Sequence, residues 1–451
     1  MVFQKRLDMN YEGGANTTEI DVAKKVETPS TPVKVIPRER AAFREKQFKV
    51  RCSLLTTFSP FHHLWLIYWN FAHLPQTLLF WFFMALSSFI PYFALKQWSQ
   101  IPVSKMVGFL LIILYVFYIF LLFYIPLRFL FWMDLSVACS FIITCENTRI
   151  LMKVHSYIRE IVPRVLRIKK SEPVPAYPTI GLFIYFFFCP SFIYADEYAR
   201  TPTRSYKKVV KYFLQAVFMI YCTNLVFTQI VHSQFVPINY AQITVGEILA
   251  TIYPAILPAM SCLILLFYGL LHCWLNAFAE LLQFGDREYY LDWWNSRSMA
   301  EYYRKWNMVV HEWLYAYVYR DLTGSQSGTM ISQICVFFLS SVFHEYWFGV
   351  SLRFFYPVMF ILYFVFGGLF FLLSRFIRSG YIWNGLMWGN LLIGTGMFMT
   401  FYSQEWYSRH RCPPVFQNQL IDILVPRHWF CTYDTFYANE VIGLQNYKNF
   451  S

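Results

Sequence analysis

His344 and Glu345, in the run SSVFHEYWF, are the side chains in this sequence best placed to do chemistry. They stand inside an apolar stretch, Met330–Leu352, that is long enough to cross a bilayer. Ionisable residues at such depth are costly and usually mark function. A neutral imidazole there can take the proton of an alcohol while a carbonyl carbon is attacked. The competing reading is a core histidine hydrogen-bonded to its own helix. The adjacent carboxylate, and a polar segment just upstream, favour the base.

That upstream segment, RKWNMVVHEWLYAYVYRDL, carries the second candidate set. Asn307 and His311 are four apart and share a face if the segment is helical, with Arg304 and Tyr303 one turn earlier. An amide side chain can donate to a developing oxyanion, which is the electrostatic work that acyl transfer needs. Taken alone, an ordinary solvated amphipathic helix would explain the same residues. YYLDWWN, residues 289–295, has two tryptophans between Asp292 and Asn295. It reads as an interfacial anchor pinned by hydrogen bonds rather than a proton-transfer site. Tyr315, Tyr317 and Tyr319 alternate, so they cannot all face one side of a helix. Glu146 and Arg149, three apart, are expected to pair.

The elements that must hold these residues are membrane helices. The chain has 451 residues, of which 57% are hydrophobic and 14% charged. Soluble domains carry about 25% charged residues, so the reading is an all-α polytopic membrane protein. Eight segments reach the roughly 20 residues that about 30 Å of hydrocarbon requires: Thr77–Leu95, Met106–Leu127, Phe131–Met152, Val209–Ile230, Glu247–Ala277, Met330–Leu352, Pro357–Phe376 and Ile382–Tyr402. Leu64–Leu74 reads as an interfacial lead-in. The apolar run IGLFIYFFFCPSFIY, broken by Pro190, is expected to lie in the interface or re-enter the protein shell. Residues 1–63 have the mixed-charge composition of a disordered tail, and no cleavable signal peptide is seen there. No metal-type Cys or His spacing appears, and no basic stripe of a soluble domain suggests nucleic acid.

Loop charge sets orientation. Lys153–Lys170 reads as a strongly basic loop, Arg200–Lys211 adds a second basic group, and Arg375 with Arg378 marks a third. Span spacing puts all three with residues 278–329 on one side, the cytosol. Residues 404–451 then form a luminal tail, where Cys412 and Cys431 can join in a disulfide, two free thiols being the alternative. Eight spans put the N-terminus in the lumen too. Residues 1–63 hold eleven Lys/Arg against seven Asp/Glu, which suits the cytosol instead. The two signals conflict, so either one span is missing from this chain or Leu64–Leu74 contributes to crossing.

YYLDWWN, RKWNMVVHEWLY and VFHEY, with LLHCWLNAFAELLQFGDREYY before them, resemble the sterol O-acyltransferases, the cholesterol-acylating branch of the membrane-bound O-acyltransferases. CENTRILMKVHSYIRE, YSQEWYSRHRCPP and LVPRHWFCTY extend the resemblance from Leu64 to the end, as one acyltransferase domain of residues 64–451. The diacylglycerol acyltransferase branch shares the DWWN and HEY elements, but typically has WNIPVHKW where this chain has WNMVVHEW. Diacylglycerol or a long-chain alcohol is therefore the alternative acceptor. A non-catalytic sterol or acyl-CoA sensor, or a transporter, is the alternative class. Paired intramembrane charges in repeated halves would mark a transporter, and the sequence has none.

The resemblance implies an endoplasmic-reticulum enzyme that joins a sterol hydroxyl to a fatty acyl group from acyl-CoA, with membrane lipid around it and no resident cofactor or metal. It makes His344 the catalytic base, has Asn307 assist at the thioester carbonyl, and gives Trp306 the tunnel wall. Tyr303, Arg304, His311, Tyr319 and Ser340 match positions lining the acyl-CoA site, and His63 falls near a histidine linked to sterol binding. A homodimer or homotetramer is implied. The chain departs from the pattern twice. The family's nine spans include a first one, between SLLTTF and LWLIYW, that this chain lacks. The loop TGSQSGT is neutral where relatives carry Lys or Arg. CoA phosphates prefer such cations, which shifts weight to Arg304 and Arg320.

Overall fold

The computed structural model describes residues 64–430, apart from 103, 236–243, 324–327, 375 and 378. His63, Cys431, Arg375, Arg378 and most of the neutral loop therefore lie outside the described residues. Among the described residues the chain is helical, and its only bridge of β type is an isolated pair, Arg200 with Phe284.

Among the described residues, five helical stretches are long and apolar enough to cross a membrane: Leu66–Gln100, Lys105–Trp132, Tyr206–Phe235, Val245–Leu282 and Gly328–Leu352. Val358–Ser374 is apolar but shorter. Helices also occupy the third and eighth expected spans, as Val137–Lys169 and Gly380–Arg411, but they are too polar overall to join that set.

The first expected span is two helices, α1 (Leu74–Ser87) and α2 (Phe89–Gln100). They meet at Ser88, whose hydroxyl bonds back to the Ala85 carbonyl at 2.6 Å. Leu64–Asn70, the lead-in, is a short helix tied to the start of the third span, where Ser136 Oγ donates to the Asn70 carbonyl at 2.5 Å. α3 (Lys105–Trp132) is apolar all round, as a lipid-exposed span should be. A turn through Asp134, in the left-handed region at φ 46°, delays the next helix to α4 (Val137–Lys169).

α4 corrects the expectation of a basic loop from Lys153. The helix runs straight through that segment, because its buried stripe (Thr148, Met152, Ser156, Ile161, Val165) keeps helical spacing to the end. Lys153 is itself buried. Its Nζ donates to the carbonyls of Phe186, Cys189 and Ser191 at 2.5–2.8 Å. Two of these lie at or just past the end of α5 (Ile180–Phe188), where a cation offsets the helix dipole. At nine residues α5 is about 14 Å long, too short to cross. The apolar run thus enters the protein shell, as expected, with Phe183, Phe186 and Phe187 buried. Glu146 and Arg149 do pair, at 2.9 Å, and Trp81 Nε1 donates to the same carboxylate at 2.6 Å.

α6 (Tyr206–Val226) packs beside α7 (Val245–Phe267), which opens with a capping box in which Thr244 and Glu247 satisfy each other's backbone. The chain continues through a π-helical turn, Tyr268–Trp274, to α8 (Leu275–Leu282). Two short helices follow, α9 (Met299–Trp306) and α10 (Met308–Leu314), then a π-helical turn at Tyr315–Tyr319. α11 (Gly328–Leu352) carries the His-Glu pair, and α12 (Gly367–Ser374) and α13 (Gly380–Arg411) complete the bundle. Near the end of α13, Glu405 is fully buried between Arg409 of the same helix at 2.5 Å and His428 at 2.7 Å. Cys412 is buried and disulfide-bonded, while its expected partner is outside the described residues.

Candidate active site

YYLDWWN is a splice between three elements. Leu291 N–H donates to the Lys305 carbonyl and Met308 N–H to the Tyr289 carbonyl, both at 2.9 Å, so the motif runs alongside the end of α9. Asp292 pairs with Lys305 at 2.7 Å, and Lys305 also reaches Glu301 at 2.6 Å. Trp293 is buried against Trp306 and Phe267, with ring centroids 4.6 and 5.6 Å away. Asn384 of α13 donates to the carbonyls of Trp294 and Ser296 at 2.8 and 3.1 Å. Asp292 thus spends its charge on an ion pair, in keeping with an anchor.

The expected continuous helix through Tyr303–His311 is broken at Asn307, whose backbone is extended (φ −145°, ψ 91°). The break has a local cause. Asn307 is the N-cap of α10, its Oδ1 accepting from Val310 N–H at 3.2 Å, and asparagine is among the preferred residues there. The cap fixes the amide plane. Oδ1 is used, and Nδ2 has no partner among the described residues, so an oriented donor remains.

Trp306 adds a wall of rings, 4.7 Å from Phe267 and 5.7 Å from Tyr302. Tyr303 meets Phe337 of α11 edge-on at 4.8 Å. Burial, and then Tyr363, raise the phenols of Tyr302 and Tyr303 above the ordinary value, so both stay protonated donors. On the outer side, His311 lies parallel to Tyr315 and Tyr315 to Tyr319, at 6.4 and 5.7 Å. Tyr317 points the other way, bonded to Ser156 at 2.9 Å and Glu160 at 3.0 Å. Of the three alternating tyrosines, two therefore share the His311 face and the third docks α10 and its turn onto α4, helped by Trp313 Nε1 on the Met152 carbonyl at 2.9 Å. Arg304 is exposed beside His311, and burial first, then Arg304, lower the imidazole pKa.

His344 lies about two-thirds of the way along α11 and is only partly covered. Its Nδ1 is 2.7 Å from the Ser340 carbonyl. A carbonyl only accepts, so Nδ1 must carry the proton and Nε2 keeps its lone pair. This is the tautomer of a base facing outward from the helix. Ser340 enters the site through its backbone oxygen. Tyr363 stacks on the imidazole at 4.8 Å and 25°, and the Trp347 ring lies 4.8 Å from it, tilted by 55°.

Glu345 does something else. Its two oxygens accept from Tyr402 Oη at 3.0 Å and Phe360 N–H at 3.1 Å. It ties α11 to α13 and to the turn after Pro357. Among the described residues no hydrogen bond joins His344 to Asn307.

Tyr363 was not singled out in the sequence, where it is one aromatic in a greasy run. His272 stands within LLHCWLNAFAELLQFGDREYY. Its Nδ1 is 3.0 Å from Tyr290 Oη, and Tyr268 stacks on it at 4.8 Å. A histidine inside LLFYGLLHCW was the available signal.

The profile of the MBOAT, membrane-bound O-acyltransferase family, matches residues 127–404. Sterol O-acyltransferase 1 of Rattus norvegicus is 39% identical over 382 residues, covering 82% of this chain and 69% of the relative. Sterol O-acyltransferase 2 of Homo sapiens is 38% identical, covering 81% and 70%. Sterol O-acyltransferase 1 of Mus musculus is 38% identical, covering 82% and 70%.

Proposed function

The chain belongs to the membrane-bound O-acyltransferase family, and from that premise we propose how it carries out its reaction. It is a multi-pass membrane enzyme, an acyl-CoA-dependent sterol O-acyltransferase that makes steryl ester and CoA. His344 is the general base in this reading. The observation that carries it is the 2.7 Å bond from Nδ1 to the Ser340 carbonyl, which leaves Nε2 free for a hydroxyl proton.

Acyl-CoA comes from the cytosolic side, with its nucleotide end near the His311–Tyr315–Tyr319 stack and Arg304. Its acyl chain passes Trp306 and Tyr303 into the bundle. The sterol arrives laterally from the bilayer. His344 Nε2 takes the hydroxyl proton as the sterol oxygen bonds to the thioester carbon. Asn307 Nδ2 donates to the oxyanion of the tetrahedral intermediate, a role worth ~10²–10³ in rate where it has been tested. The C–S bond then breaks, the ester stays in the membrane, and the thiolate takes the proton back from the imidazolium. The thioester arrives already activated, so the proposal calls on no resident cofactor or metal.

The wider reading places the enzyme in the endoplasmic reticulum membrane as a homodimer or homotetramer, with His63 near the sterol. The test is transfer of labelled oleoyl-CoA to sterol, diacylglycerol and long-chain alcohol by the reconstituted protein. Ester is expected on the sterol. His344→Ala should abolish it while the protein still assembles, and turnover at the wild-type rate in that variant would sink the assignment.

A further inference from the structure

The basic group Arg200–Lys211 was read as an orientation signal, and the reaction does not use it. Its placement carries more. α6 packs one face inward, with Tyr212 against His272 and Phe213 against Trp274 at 6.0 and 5.4 Å. The opposite face holds an open depression of about 470 Å³ lined by Lys207, Val210, Lys211, Leu214, Gln215 and Phe218. Spacings of three and four put these residues on one stripe. The two lysines lie at its head, the amide below them, and the exposed Leu214 and Phe218 at its foot. Eleven residues separate Lys207 from Phe218, a rise of about 16 Å, roughly one leaflet of hydrocarbon.

We propose that this stripe binds an anionic phospholipid of the cytosolic leaflet. The phosphate sits between Lys207 and Lys211, Gln215 meets the glycerol esters, and an acyl chain lies along Val210, Leu214 and Phe218. The positive-inside rule accounts for lysines near this end of the helix. It does not account for two of them, one turn apart, directly above an apolar groove. Among the described residues neither lysine has a hydrogen bond or ion pair, so both charges are available. Clusters of basic residues immediately cytosolic of a membrane helix favour anionic lipid by about fivefold each.

Native mass spectrometry of the full-length protein, in detergent doped with equal phosphatidylserine and phosphatidylcholine, tests this. Preferential retention of phosphatidylserine is expected, falling about 25-fold in Lys207→Ala/Lys211→Ala. Lys207→Arg/Lys211→Arg should keep the preference. Lys105→Ala/Lys170→Ala, which removes the same charge elsewhere on that side, should keep it too. Equal retention of both lipids by the wild type overturns the proposal. So does an equal loss in the control pair, which would mean a diffuse field, and so does displacement of the lipid by excess CoA, which would assign the lysines to the acyl-CoA path.

Discussion

Asn307 has two jobs in this reading, and one substitution separates them. Its Oδ1 caps α10 through Val310 N–H at 3.2 Å, and its Nδ2 is the free donor. Asn307→Ala removes both, costing about 1 kcal/mol of stability for the cap and about 2.7–4 kcal/mol of transition-state stabilisation for the donor. Asn307→Asp keeps a good cap and puts an anion at a helix N-terminus, which is favourable, but it has no N–H to give. The aspartate variant should therefore unfold at the wild-type temperature and lose ~100-fold or more in kcat. The alanine variant should lose about the same in kcat and also unfold earlier. Thermal unfolding in detergent and single-turnover transfer of labelled oleoyl-CoA to sterol measure the two effects separately. If the aspartate variant turns over like wild type while alanine fails, Asn307 acts only as a cap and the oxyanion assignment is wrong.

Three further expectations follow from the same geometry. Asp292 is more than half exposed in its pair with Lys305, and such pairs are worth ~1 kcal/mol or less; Asp292→Ala should lower kcat by less than about tenfold, and a thousandfold drop would make it a proton carrier. Glu345→Gln should keep most activity, because its oxygen can accept from Phe360 N–H while its amide donates to a Tyr402 phenol that switches to acceptor. Glu345→Ala strands both groups at about 1–3 kcal/mol each, and loss of turnover in a glutamine variant of normal thermal stability would bring Glu345 into the chemistry. His311 binds fewer protons folded than unfolded, since its pKa is lowered, so its contribution to stability is complete above the unfolded pKa and is lost as pH falls below it. Arg304→Gln removes the smaller of the two causes and should move the acid limb of the KM profile for acyl-CoA to higher pH; an unmoved limb would separate His311 from that site.

Much of the fold is legible in the sequence because membrane helices are written in hydropathy, and the proposed base stands out as a polar exception within one. His344 is proposed as the base on that ground and YYLDWWN as an anchor, whereas Asn307 sits in an already polar segment and is picked out by the resemblance. What was not legible depended on backbone detail. The break at Asn307 replaces a continuous helix because its side chain competes for the backbone. Lys153 looked like loop charge, yet it is a buried cap for α5, a contact across 36 residues of sequence at Cys189. Glu345 looked like a partner of His344, but neighbours on a helix point about 100° apart.

In the proposed reaction that divergence suits a base placed within the membrane. A carboxylate beside the imidazole would hold its proton and stabilise the imidazolium, which serves triads working in water-accessible clefts. Here Nδ1 is held by a neutral carbonyl instead, at 2.7 Å, so the charged form gains no counterion. The imidazolium is then a short-lived species that returns its proton to the departing thiolate, and the site never keeps a separated ion pair within the bilayer. Glu345, one residue on, fixes the helix that carries the base, through Tyr402 and Phe360. On this argument, moving a carboxylate to the His344 face, as in Tyr363→Glu, should stabilise the imidazolium and lower turnover rather than raise it. A faster variant, measured in single-turnover transfer to sterol, would show that the base lacks a counterion it needs.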